Sequence, residues 1–364
     1  MLDQIPELGH DGSDKQDEIQ RELKFALGLK CFNNSKWEDS ITHLWRVAEL
    51  SPDDSSVHLY LAFSLFRVGE LRKSADHFDI SISLEEKPQS IIDLKQQIFS
   101  EIHLNLPGFL QGAHAPERHV FMTTAIDLLN TQSATFNILE IGSYGGSSML
   151  TWSDAAEKFL GGECQIVCID PWGESGATLH NPIMNQNLKS KRAYDVFCHN
   201  ATFCSENVEV SPIRGTSKDV LPTLDKDAFD LIYIDGSHYY ADVLHDLAQC
   251  SKLLKPGGII CGDDLELQLS ECDRAFVKNN KSVDFVKDPM TGTQFHPGVT
   301  LAVAEFFGKV SCFKGFWAMQ QDSKGFKKVS FSDATGFLAN HWPPDFHDHI
   351  SNYFKTSNEL GEFL

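Results

Sequence analysis

Three carboxylates sit where apolar runs stop: Asp235 ends the run LIYI, and Asp263 and Asp264 follow GGIICG. Acids that close would repel one another and raise each other's pKa values unless a cation neutralises them. Oxygen ligands suit a hard divalent ion such as Mg²⁺, with waters completing an octahedron. The other use of Asp264 is to cap the segment that follows it. The 28 residues from Asp235 to Asp263 accommodate one crossover helix, the loop KPGG and a returning strand. Adjacent parallel strands would then end side by side. Successive strand residues face opposite ways, so Asp263 and Asp264 converge only where the chain is already turning, and Gly262 supplies such a place. His238, three residues past Asp235, is a candidate general base because an ordinary imidazole titrates near neutral pH. The competing reading is a loop histidine bonded to backbone.

Two more acids share this placement. Glu140 comes just before the glycine-rich turn of LEIGSYGGSS, residues 139–148. A turn of that kind after a first strand lets a ligand approach the backbone closely at a helix N-terminus. An acid there repels a pyrophosphate and attracts the cationic amine of an amino-acid-like ligand. Asp170 ends QIVCID, where a carboxylate accepts both ribose hydroxyls of an adenosine or else caps the turn that Asp-Pro makes. After VEVSPI, Gly215-Thr216-Ser217 leads into a short helix, and a hydroxyl there faces an adenine edge or serves as the N-cap.

The elements that must hold these groups read as a doubly wound α/β domain. FNILEIG, CQIVCID, VEVSPIRG, DLIYIDG and GGIICGDD are strand-like, several of them apolar throughout, as in a parallel sheet covered on both faces. SSMLTWSDAAEKFL and YYADVLHDLAQCSKLL suit crossover helices. Ligands of such a sheet lie at the carboxyl ends of its strands. The sheet is expected over residues 109–364, following the connector NLPGFLQGAHAPER. Residues 1–108 are expected to form an all-α domain. There Leu27, Phe32, Trp37, Ile41 and Leu44 recur 34 residues later as Leu61, Phe66, Leu71, Ala75 and Phe78, the period of paired-helix units. Two repeats and a closing helix, from about Pro88 to Leu104, are expected. They resemble tetratricopeptide repeats, and either cover the rest of the chain or offer a surface for a partner or a second copy.

Taken together, LEIGSYGGSS, CIDPW, GTSKDVLP, YIDGSHYY and the GDD after KPGG resemble class I S-adenosylmethionine-dependent methyltransferases with a Rossmann-like fold. More narrowly they are similar to the metal-dependent O-methyltransferases, which include the catechol, caffeoyl-CoA and macrolide-sugar enzymes. The resemblance runs from about Phe136 to Leu265. It implies S-adenosylmethionine as cofactor, with Glu140, Gly142 and Tyr144 at its methionine end, Asp170 at its ribose and Ser217 at its adenine edge. Ser143, Gly145, Ser148, Trp172, Thr216 and Asp235 join them as expected cofactor residues. Asp235, Asp263 and Asp264 occupy the positions that hold the ion in that family, though the catechol enzymes carry Asn at the third. His238 stands where they carry a lysine; the sugar enzymes carry an aspartate one residue earlier, here Ser237. DGSH and GDD together also resemble the cephalosporin hydroxylase group. The implied reaction is methyl transfer to a hydroxyl of a small acceptor.

Composition narrows the partners. With 51 acidic against 31 basic residues the formal charge is −20, which repels phosphate backbones and anionic lipid, so neither nucleic acid nor a membrane is expected. The N-terminus has no positive n-region or apolar h-region, and the nine cysteines form no CxxC; both point to a cytoplasmic protein. Toward the C-terminus, residues 267–300 read as a turn-rich insertion, then a closing pair of strands carries Phe313, Phe316 and Trp317. Some of these aromatics would wall an acceptor pocket, with His296 at its rim.

Overall fold

The computed structural model describes residues 11–68, 70–93, 95, 116–129, 135–173, 185, 188–189, 192–331, 337–342, 346–348 and 350–351. The chain divides into two compact units, Met1–Ile102 and His103–Leu364.

The described part of the first unit includes α1 (Asp11–Asn33), α2 (Trp37–Leu50), α3 (Ser55–Val68) and α4 (Leu71–Leu84), and residues 89–93 are helical as well. Each packs on the next around Leu44, Val47, Val57, Leu61 and Leu65. The sequence repeat has a counterpart in the hydrogen bonds. Ser40 Oγ donates to Gly28 O at 3.1 Å, and 34 residues later Ser74 Oγ donates to Ala62 O at 2.8 Å. The turns recur as well: Lys36 N–H donates to Cys31 O at 2.9 Å, and Glu70 N–H to Leu65 O at 3.0 Å. A small residue is needed under α2, because a Cβ at Gly28 would stand 2.7 Å from Leu44 Cδ2. Most of the expected closing helix, and the connector up to residue 115, lie outside the described residues.

Among the described residues the second unit starts with α5 (Pro116–Leu128) and then alternates β1 (Thr135–Ile141), α6 (Ser147–Phe159), β2 (Glu163–Asp170), α7 (Arg192–Asn200), β3 (Val208–Arg214), α8 (Ser217–Val220), β4 (Phe229–Ile234), α9 (Tyr240–Leu253) and β5 (Leu254–Leu265). A turn-rich stretch follows, with α10 (Arg274–Asn280), β6 (Val286–Lys287), β7 (Gln294–Phe295) and α11 (Pro297–Phe307). Strands β8 (Ser311–Phe313), β9 (Gly315–Asp322) and β10 (Gly325–Lys328) close it.

The main sheet runs β10-β9-β5-β4-β1-β2-β3, with β8 also on β9. Strands β5, β4, β1, β2 and β3 are parallel, and β9 and β10 extend the β5 side through antiparallel pairings. This is a Rossmann-like, mostly parallel sheet with helices on both faces. One core, around Met149, Trp152, Trp172 and Phe197, covers one face; the other, around Ile232, Leu247, Ile260 and Val303, covers the opposite face. The stretch KPGG, expected as a loop, bulges within β5: the register jumps from Phe229↔Leu254 to Leu231↔Ile259. Chain order reverses between β1 and β4, so the crevice of this fold lies outside their carboxyl ends. Among the described residues no helix is long and apolar enough to cross a membrane.

Candidate active site

The crevice between β1 and β4 is closed tightly at its floor. Gly142, at φ +89°, follows β1, and a Cβ there would fall on the carbonyl oxygen of Asp235, the residue after β4. Asp235 N–H in turn donates to Ile141 O at 2.9 Å. Only glycine meets both the backbone angle and the approach. The turn then climbs through Tyr144 (φ +43°) and Gly146 (φ +84°) into α6.

Glu140 is 0% exposed. Trp152 Nε1 donates to its Oε2 at 2.8 Å, while the Ser143 and Ser148 hydroxyls stand near the carboxyl and neither Oε1 nor the buried Ser143 Oγ makes a well-aligned hydrogen bond among the described residues. Burial pushes this carboxyl up to about 7, against the opposing pull of Ser143, Ser148 and Trp152. A buried acid with an unsatisfied oxygen is costly unless something completes it.

Asp170 takes up the turn-capping use. Its Oδ2 accepts from Tyr144 N–H at 2.9 Å and its Oδ1 from Trp172 N–H at 2.6 Å. The ring of Trp172, expected among the cofactor residues, is wholly buried against Tyr194 and Phe197, and Nε1 donates to Tyr144 O at 2.7 Å. It braces the glycine turn from behind. Gly145 is braced likewise, its carbonyl accepting from Asn200 Nδ2 at 2.8 Å. Thr216 is the N-cap of α8, since its Oγ1 accepts from Asp219 N–H at 3.3 Å. Ser217 bonds the Asp246 carboxylate of α9. Both hydroxyls therefore already have structural work.

At the tips of β4 and β5 the three acids converge. One oxygen each from Asp235, Asp263 and Asp264 lie within 4.8 Å of one another. Alternation along β5 would send neighbours to opposite faces; Asp264 escapes it through a left-handed backbone, φ +64°, where the register against β9 also shifts. Asp263 pairs with Arg118 of α5, a side chain only 10% exposed, and its Oδ1 has no partner among the described residues. Trp317 Nε1 of β9 donates to the Asp263 carbonyl at 3.2 Å. Asp235 accepts from Tyr233 Oη at 3.2 Å. Burial, then Asp264 and Asp263, hold Asp235 well above the ordinary carboxylate range. Burial also raises Asp263, against the pull of Arg118, to about 6. The small cleft beneath these tips is lined by Asp235, Ser237, His238, Asp263, Asp264 and Trp317 among others.

His238, the candidate base, stands between two carboxylates. Its Nε2 lies 3.0 Å from Asp264 Oδ2 and its Nδ1 2.6 Å from Asp284 Oδ1. Burial works against charge on the ring, but the two carboxylates outweigh it and hold the pKa well above the usual imidazole value. Burial likewise works to raise Asp264, and His238 and His296 overcome it and keep the acid ionised. Ser237 donates to Asp242 Oδ2 at 2.8 Å, at the start of α9.

Arg118, Tyr233, Glu266 and Asp284 were missed by sequence reasoning. Arg118 lies 145 residues from its partner Asp263, and Asp284 lies 46 from His238, so no local spacing signals either. Tyr233 could have been found, since it is two positions before Asp235 and therefore on its side of the strand.

Residues 139–265 match the family model described as a methyltransferase domain. No curated protein matches the chain. Among solved structures it is similar to the O-methyltransferase from Bacillus cereus in complex with SAH, at 20% identity over 68% of this chain and 92% of that one, with a TM-score of 0.32. It is also similar to the O-methyltransferase TomG from Streptomyces achromogenes, involved in tomaymycin synthesis and in complex with SAM, at 17% identity over 63% and 83% of the two chains and a TM-score of 0.33. Likeness that distant says nothing of ligand or acceptor. The span 139–265, which holds the glycine turn, Asp170 and the three converging acids, carries the sequence of a methyltransferase domain on a Rossmann-like sheet.

Proposed function

We propose that this chain transfers a methyl group from S-adenosylmethionine to a hydroxyl of a small acceptor, with a divalent cation at the tips of β4 and β5. The observation that carries this reading is the meeting of three features in one crevice: Glu140 with its unsatisfied oxygen, the glycine turn held open by Gly142, and Asp235. The Glu140 oxygen and the Ser143 hydroxyl are what a cationic amine would complete. Each Asp170 oxygen accepts one backbone N–H and keeps a second lone pair for a ribose hydroxyl.

The carboxylate set fits a cation as well. Its oxygens are within 4.8 Å of one another and Asp263 Oδ1 lacks a partner. Bound there, an ion would lower the pKa of an acceptor hydroxyl and orient its oxygen, while the cofactor supplies the electrophilic methyl. Arg118 keeps Asp263 placed, and Tyr233 does the same for Asp235. His238 Nε2, 3.0 Å from Asp264 Oδ2, holds that carboxylate in place. The covered walls of the crevice limit competing attack by water.

Titration calorimetry with S-adenosylhomocysteine tests the cofactor half directly. A Kd in the micromolar range, about −8 kcal/mol, is expected. The absence of both heat and thermal shift at millimolar ligand would end this reading. For the cation, excess chelator should abolish turnover while leaving cofactor affinity nearly unchanged. Full activity in chelator removes the metal from the proposal.

A further inference from the structure

Asp264 turns both oxygens toward imidazoles. Its Oδ2 lies 3.0 Å from His238 Nε2, and its Oδ1 lies 3.7 Å from His296 Nδ1. The three ligand atoms of His238, Asp264 and His296 all lie within 4.8 Å of one another. Donors about 2.1 Å from one ion stand about 3.0 Å apart when cis-octahedral and about 3.4 Å apart when tetrahedral. The spacing is therefore that of a coordination polyhedron, slightly open on the His296 side. Glu266 Oε1 is 3.0 Å from the same His296 nitrogen and holds that ring in place.

A second, independent observation concerns the far side of the His238 ring. Its Nδ1 is 2.6 Å from Asp284 Oδ1. A carboxylate on the distal nitrogen is how proteins orient a metal-ligating histidine and fix the tautomer that leaves Nε2 free for the ion. The fold builds this deliberately. Gly298, near the start of α11, has no Cβ because one would fall on the His238 carbonyl, so the loop and the helix that follows His296 press together. The rings of His238 and His296 thereby stand 4.3 Å apart. Their side chains remain 19% and 12% exposed, so an ion can reach them from the cleft. Asp263, in contrast, is tied to a buried guanidinium.

We propose that His238, Asp264 and His296 form a mixed imidazole–carboxylate site for a first-row transition ion of the Zn²⁺ class, with Asp284 as the positioning residue for His238. Imidazole ligands favour such ions, whereas Mg²⁺ selects oxygen donors. The inference rests on a cation working at these strand tips and names its chemical class. The ion replaces the proton between His238 Nε2 and Asp264, so the site needs no disruption of the Arg118–Asp263 pair.

Titrating the chelator-stripped full chain with Co²⁺, followed by visible absorption and calorimetry, reads the site without any turnover. One Co²⁺ per chain is expected, displaced by one equivalent of Zn²⁺ and unmoved by about 100-fold excess Mg²⁺. His296→Gln and Asp284→Asn should each weaken Co²⁺ about 10- to 100-fold. Displacement of Co²⁺ by a comparable concentration of Mg²⁺ overturns the assignment, as does wild-type Co²⁺ affinity in folded His296→Gln. Should His296→Gln fail to fold, the wild-type competition and Asp284→Asn decide the matter. S-adenosylhomocysteine binding in the same stripped protein separates the two proposals. No cofactor binding with intact Co²⁺ selectivity sinks the methyltransferase reading alone, and the converse sinks the site alone.

Discussion

Both units bury polar side chains, and they bury them differently. In the helical unit the buried polar groups are mostly small and neutral, and they satisfy one another. Ser40 reaches Gly28 O and Ser64 Oγ, Ser74 reaches Ala62 O, and Ser55 and Ser81 exchange hydrogen bonds with each other's backbone and side chains. The crevice of the α/β unit buries ionisable groups and leaves some unsatisfied: Glu140 Oε1 and Asp263 Oδ1 among them. Serines paired across helices serve close packing. Buried acids with lone pairs unused are tolerated where a ligand completes them, which is why the second pattern points to function and the first does not.

The sharpest way to break that contrast is to remove a counter-charge from the crevice. Arg118→Ala leaves Asp263 buried without its guanidinium and should cost about 3–5 kcal/mol in urea unfolding of the α/β unit. A loss under about 1 kcal/mol would mean that the pair is as weak as one on an open surface.

Glu140 gives the next largest effect, and it depends on pH. Its carboxyl is raised from 4.5 to about 7 in the folded chain. Between those values the folded state holds a proton that the unfolded state has lost, so stability falls as pH rises from about 4.5 to about 7 and is level above. The fall should be about 3 kcal/mol. Glu140→Gln should remove its share of the slope, leaving that of Asp235 and Asp263, and raise stability at pH 8, at the expense of cofactor affinity. If unfolding shows the same pH slope in the variant, Glu140 is not the buried acid responsible.

In the helical unit the expected changes are smaller. Ser74→Ala removes one donor from Ala62 O and should cost about 1 kcal/mol, equally at pH 5 and pH 8. A pH-dependent loss would erase the distinction between the units. His77 is the one test of charge there, since burial and then the neighbouring His58 lower it from 6.5 to about 4. The unfolded state then binds the extra proton, so stability is lost as pH falls from about 6.5 to about 4. Solvent screening limits the effect to under about 1 kcal/mol, and His77→Gln should remove it in acid unfolding curves.

What could be read in the residues alone was whatever depends on neighbours along the chain. The alternation of apolar runs with amphipathic stretches determined the Rossmann-like sheet, because a parallel strand buried on both faces has to be apolar throughout. The 34-residue period determined the paired helices, down to Ser40 and Ser74 meeting equivalent carbonyls. The spacing from Asp235 to Asp263 was enough to bring the strand tips together, since one crossover joins adjacent parallel strands. Charge balance in the crevice belongs to the tertiary structure. Arg118, Asp284, Glu266 and His296 come from α5 and from the segments around the insertion, and they set Asp263 against a guanidinium and His238 between two carboxylates. Trp172 is a buried brace for the same kind of reason. A strand tip's position follows from backbone periodicity. The protonation state of a group placed there follows from every charge within a few ångströms, and those charges are contributed by parts of the chain that only folding brings near.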